Sequence, residues 1–122
     1  MNRFIVKIIA LDKDDEVKIA IGNEEIECFI NSCPFKIAEG ESYEVELDLI
    51  SFEDEVTPTK TDFNLGAVKI EGKLENRIVG ILGQDFIDFG VKITHEYLFE
   101  GFESLYGERV EFIIDRIQID FL

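Results

Sequence analysis

Apolar and polar residues alternate one for one along most of this chain, the period that sends successive side chains to opposite faces of a β-strand. Phe4, Val6, Ile8 and Ala10 line one face of the first segment. Ile5, Ile9 and Leu11 make its other face apolar too, which predicts a central strand covered on both sides. A polar turn over residues 12–16 leads into Val17, Ile19 and Ile21, and Gly22-Asn23 suits a tight hairpin before Ile26, Cys28 and Ile30. Residues 31–42 lose the alternation around Cys33-Pro34 and Gly40. Tyr43, Val45, Leu47 and Leu49 then interleave with Glu44, Glu46 and Asp48 in the clearest amphipathic strand of the chain.

The polar run 53–62, with Pro58 inside it, predicts an exposed, mobile loop. Val68, Ile70 and Leu74 on one side of Glu75-Asn76, and residues 78–82 on the other, predict a further hairpin. Ile87, Phe89, Val91 and Ile93 alternate again, and Gly90 among them signals a bulge, a bend or close backbone approach. Residues 95–106 are the one helical candidate, because Leu98, Phe102 and Tyr106 recur every four residues and Leu105 joins them. At the end the apolar parity shifts: Val110, Phe112 and Ile114 are even, whereas Ile117, Ile119 and Phe121 are odd. A strand keeps its parity unless it bulges, bends sharply or is apolar on both sides, so a long strand bending between two sheets or round a barrel corner is expected.

These segments add up to an all-β, mainly antiparallel chain of about seven or eight strands with at most one short helix near residues 95–106. A small barrel, of the oligonucleotide-binding type given the bent last strand, or a β-sandwich accommodates them. With 122 residues, 46% of them hydrophobic and eleven of them Phe, residues 1–122 fit one domain with its own core.

Charge narrows the function more than motifs do. Twelve Lys and Arg stand against 27 Asp and Glu, a formal charge of −15. Such a field repels phosphate backbones and anionic lipid and attracts cationic partners, so nucleic acid and membranes are disfavoured as targets. The apolar start is broken by Lys7 and followed by acidic residues where a cleavage site would lie, so it reads as a first strand and a cytoplasmic location is expected.

Candidate chemistry is sparse. Cys28 and Cys33 have neither zinc-knuckle nor redox spacing, and one histidine leaves no four-ligand Cys and His set, so two structural thiols are expected and no metal or other cofactor. His95-Glu96 is the only histidine beside a carboxylate, and Ser32, Cys33, Ser42, Ser51 and Ser104 lie in no nucleophile signature. The turn at Asp12 lacks the glycine and the length of a calcium loop. Asp115-Arg116 interrupts the apolar terminal segment, which predicts a structural ion pair or, as the sharper alternative, a binding role for Arg116.

The expected function is therefore non-enzymatic: an acidic interaction module, such as a bacterial immunity or inhibitor protein, that binds a basic protein partner. Its candidate surface is Glu44, Glu46 and Asp48 with Glu53, Asp54 and Glu55. Three carboxylates on one strand face repel one another, so at least one of Lys7, Lys18, Lys69 or Lys73 is expected beside them. The alternatives are a ligand-binding barrel with a mouth of Phe and Tyr capped by residues 95–106, and a homo-oligomeric structural protein with an exposed apolar patch.

Overall fold

The computed structural model describes residues 2–12, 15–52, 56–71, 75–95 and 99–122. Among them run β1 (Arg3–Leu11), β2 (Glu16–Ile21), β3 (Glu24–Ser32), β4 (Ser42–Ile50), β5 (Thr59–Lys60), β6 (Gly66–Lys69), β7 (Asn76–Leu82), β8 (Phe86–Asp88), β9 (Lys92–Thr94), β10 (Arg109–Ile114) and β11 (Arg116–Phe121). The fold is all-β and mainly antiparallel. Its strands outnumber the seven or eight expected because β5 is too short for alternation to reveal and the runs 87–93 and 110–121 each divide into two strands.

Five strands close on themselves in the order β1-β2-β3-β11-β4, with β4 returning to β1. Every neighbour in this ring is antiparallel except β3 and β11, which run parallel. Five is also the strand number of the oligonucleotide-binding barrel type. The remaining strands form a second sheet ordered β5-β10-β7-β8-β9, with β6 beside the first half of β7. Asn2 ties the two together: its side chain donates to Thr94 O at 2.7 Å and accepts from Thr94 N at 2.8 Å, as a strand neighbour would.

Alternation decides what fills the ring. Val6, Ile8, Val17, Ile19, Ile26, Cys28, Val45, Leu47, Leu49, Ile117, Ile119 and Phe121 all point inward and are buried. They belong to one cluster with Ile78, Leu82, Ile87, Phe89, Phe99 and Phe112 of the second sheet and its connections. Burying apolar surface contributes about 25 cal/mol per Å², so this shared interior is the main stabilising term for both sheets. Phe35, Tyr43 and Phe121 pack edge and tilt at centroid distances of 5.7 to 6.4 Å beside one end of the ring.

Three expectations need correction. β1 is covered on one face only: Ile5 is 75% exposed, and Ile9 and Leu11 are exposed too, because in a closed ring the outward face meets solvent. A register shift between Ile8 and Ala10 adds to the irregularity there. Residues 95–106 form no α-helix among the described positions: a 3-10 turn covers Glu103–Leu105, Gly101 has φ 92°, and residues 96–98 with Leu98 lie outside the description. Phe99 packs against Phe112 of the second sheet at 5.3 Å. Finally, within the polar run 53–62, Val56 is buried and Thr59–Lys60 pairs with β10, so this part is docked, not free.

Two local signals led to definite structures. Gly22 takes φ 57° in the two-residue turn between β2 and β3. Gly90 takes φ 101°, and the segment reverses around it into the β8–β9 hairpin, so the alternating run 87–93 is two strands and not one. The parity shift is a change of sheet: β10 ends at Ile114 in the second sheet, Asp115 intervenes, and β11 begins at Arg116 in the ring. Asp115 Oδ2 accepts the Phe52 amide at 2.6 Å, so the chain leaving β4 braces the switch point.

Candidate functional site

The outward face of β4 carries Glu44, Glu46 and Asp48, and its two neighbours determine what those carboxylates meet. On β1, Arg3 stands opposite Glu46, Ile5 opposite Glu44 and Lys7 opposite Ser42. Arg3 reaches Glu44 at 3.8 Å, an exposed pair of small energetic weight. On β11, Asp120 stands opposite Glu46 and Gln118 opposite Asp48. Of the lysines expected to flank this face, Lys7 sits at its end, Lys18 and Lys69 lie elsewhere, and Lys73 is outside the described residues.

Sequence reasoning missed Asp120 and Asp85, which extend the face. Glu46, Asp48, Asp120 and Asp85 line one groove of about 450 Å³ together with Asn2 and Thr94 at the contact between the sheets. Glu46 and Asp120 are like charges in direct cross-strand register, an arrangement that costs stability. Asn31 Nδ2 donates to Asp120 at 2.9 Å and Asp48 accepts its neighbour Leu49 N at 2.9 Å, so these carboxylates are held in place by neutral donors. Glu53, Asp54 and Glu55 lie outside the described residues.

The other side of the ring is built differently. Glu16 on β2 and Phe29 on β3 are cross-strand partners, as are Lys18 and Glu27. Lys69 of β6 comes down onto this face from the second sheet, donating to Glu16 and lying 3.7 Å from Glu27. Burial acts to lower the Lys69 ammonium, but the bond to Glu16 and the charges of Glu16 and Glu27 outweigh it and hold the group above its ordinary value.

Between this face and the second sheet lies a cavity of about 350 Å³, walled by Phe29, Phe52, Cys28, Ile117, Asn76, Arg116, Glu75, Asp115 and the Lys69 cluster. Arg116 stacks on Phe29 at 4.0 Å and on Phe52 at 5.1 Å. Its Nε is buried without a hydrogen-bond partner, and no carboxylate among the described residues lies within ion-pair distance of its guanidinium. The ion pair expected for Asp115 and Arg116 is thus not formed, because Asp115 is engaged by Phe52 N. Asn76 is the one buried polar residue of the described chain, 4% exposed, and it lines the same cavity.

Elsewhere the chemistry is thin. Both cysteines are free thiols, and burial, with a smaller push from Glu27, raises the Cys28 thiol far above the ordinary cysteine value. Cys33 Sγ lies 2.9 Å from Phe35 O. His95 N donates to Asp85 O at 2.7 Å, while Glu96 is outside the described residues. No group of three or more His, Cys, Asp or Glu among the described residues is placed to hold a metal ion, and no described helix is long and apolar enough to cross a membrane.

Comparison with known proteins adds one assignment. A family model described as uncharacterised conserved protein UCP019853 matches residues 1–122. The chain belongs to that family. No curated protein and no solved structure matches it. Within UCP019853, then, function has to be argued from the two faces of the ring.

Proposed function

We propose that this UCP019853 protein is a non-enzymatic binding module that engages a basic protein partner through the acidic groove of β4 and β11, in the manner of an immunity or inhibitor protein. The supporting observation is that Glu46, Asp48, Asp120 and Asp85 converge on one groove, with Glu46 and Asp120 in direct register although their repulsion weakens the fold. Residues kept together against stability are expected where a ligand supplies the missing counter-charge. The filled interior of the ring supplies a rigid support for such a surface. A net charge of −15 steers cationic proteins toward it and raises association rates at low ionic strength.

Capture on immobilised protein at low and high salt tests the reading, with the parent compared against a Glu46→Lys, Asp120→Lys double variant. The expected result is a cationic protein held by the parent at low salt, released by salt, and associating about tenfold or more slowly with the reversed variant. A partner that binds parent and variant alike overturns the groove as the surface, and retention of no cationic protein overturns the module itself.

A further inference from the structure

We infer that the cavity on the opposite side of the ring is a binding site for a small monocarboxylate with an apolar or aromatic body, read by Arg116. Three independent features converge there. First, Arg116 brings to the cavity a guanidinium, a planar cation whose N–H groups are all donors. Its Nε is nevertheless buried and without a hydrogen-bond partner, and no carboxylate among the described residues lies within ion-pair distance of the guanidinium. Second, the guanidinium lies over the Phe29 ring at 4.0 Å and the Phe52 ring at 5.1 Å, two aromatic contacts that hold it at the cavity wall. Third, Asn76, 4% exposed, brings a carboxamide to the wall of the same cavity.

Ligand class follows from charge and size. A planar fork with parallel N–H donors matches a carboxylate or a phosphate. Glu16, Glu27, Glu75 and Asp115 stand at the cavity wall, with Lys69 already committed to the first two, so a dianion meets about twice the repulsion that a single negative charge meets. A volume of about 350 Å³ lies at the small end of ligand pockets, and its Phe, Ile and Cys walls suit an apolar body. The Asn76 carboxamide offers one further donor and acceptor for a polar substituent. The cavity shares no residue with the acidic groove, so this site stands or falls independently of the partner proposed above.

The test uses the whole chain and four probes: benzoate, hexanoate, the neutral isostere benzamide, and inorganic phosphate. Arginine Nε–Hε resonances in a ¹⁵N-labelled sample report the guanidinium directly. Benzoate or hexanoate is expected to shift the Arg116 signal saturably, with benzamide and phosphate weaker by about tenfold or more. Arg116→Gln is expected to abolish the carboxylate preference, and Phe52→Ala, at an exposed position that tolerates truncation, to weaken binding several-fold. Benzamide binding as well as benzoate, phosphate binding better, an unchanged affinity in Arg116→Gln, or no shift with either carboxylate at tens of millimolar overturns the inference. If Arg116→Gln does not fold, the parent resonance and the Phe52→Ala variant decide the matter.

Discussion

Two sides of the same five-stranded ring treat charge in opposite ways. Along β4 and β11, Glu44, Glu46, Asp48 and Asp120 face outward with Arg3 as their paired cation among the described residues, and neutral donors hold the carboxylates apart. Along β2, β3 and the start of β11, Glu16 and Glu27 are neutralised by Lys69, and the unpaired charge is a cation, Arg116. On one side carboxylates outnumber their cations, and on the other a cation stands outside the ion pairs around it. Since both are anchored to the same buried interior, the difference comes from outward side chains alone, and outward side chains are where binding specificity is written at least cost to the fold.

The comparison presumes that the ring interior is the rigid element, and the largest expected effect tests that. Leu47→Ala, beneath the acidic groove, should destabilise the protein by about 2–5 kcal/mol in denaturant melts, whereas Ile5→Ala on the exposed face of the adjoining strand should stay within about 0.5 kcal/mol. Equal losses would mean that β1 is covered after all.

Next in size is the contrast between the two cations. Lys69→Met leaves Glu16 and Glu27 facing each other without their counter-ion and should cost about 1–3 kcal/mol. Arg116→Met removes an unpartnered charge and should be neutral or stabilising under the same melt. If both substitutions cost the same, Arg116 has a structural partner and the asymmetry between the two sides disappears.

A pH scan probes the wall between them. In the unfolded chain a thiol ionises near pH 8.5, but burial keeps folded Cys28 protonated well above that. Its contribution is therefore fully present below about pH 8.5 and is lost as pH rises toward the folded value, with a slope of up to about 1.4 kcal/mol per pH unit. Cys28→Ala should flatten that slope. The smallest effect belongs to the acidic side: Asp120→Asn relieves the repulsion with Glu46 and should stabilise by about 0.2–1 kcal/mol, a gain that shrinks as salt is added.

How much of this was readable in the sequence depends on whether the signal is local. The hairpin at Gly22, the inward set of β4 and the change of sheet at Asp115 all follow from period-two parity, which neighbouring residues carry by themselves. The exposure of Ile5 was not readable, because an apolar outer face looks the same whether a second layer covers it or a closed ring leaves it bare. The β8–β9 reversal hid inside unbroken alternation, with Gly90 as its only trace. Of the acidic groove, Glu44, Glu46 and Asp48 were legible from one strand, but Asp85 and Asp120 join them through pairings across the fold. The cavity gathers Phe29, Phe52, Lys69, Asn76 and Arg116 from five separate segments, and only the interruption at Asp115-Arg116 hinted at it.

The passage through Asp115 also governs how the molecule comes apart. Ring strands β1 to β4 are contiguous, but their fifth member arrives only after the chain has traced the whole second sheet, and it wedges between β3 and β4. Closing that loop carries an entropic cost that grows with its length, and the ordered second sheet shortens the effective loop. Loss of the second sheet should therefore unzip the ring as well, so that fluorescent probes placed on each sheet report one shared transition on heating.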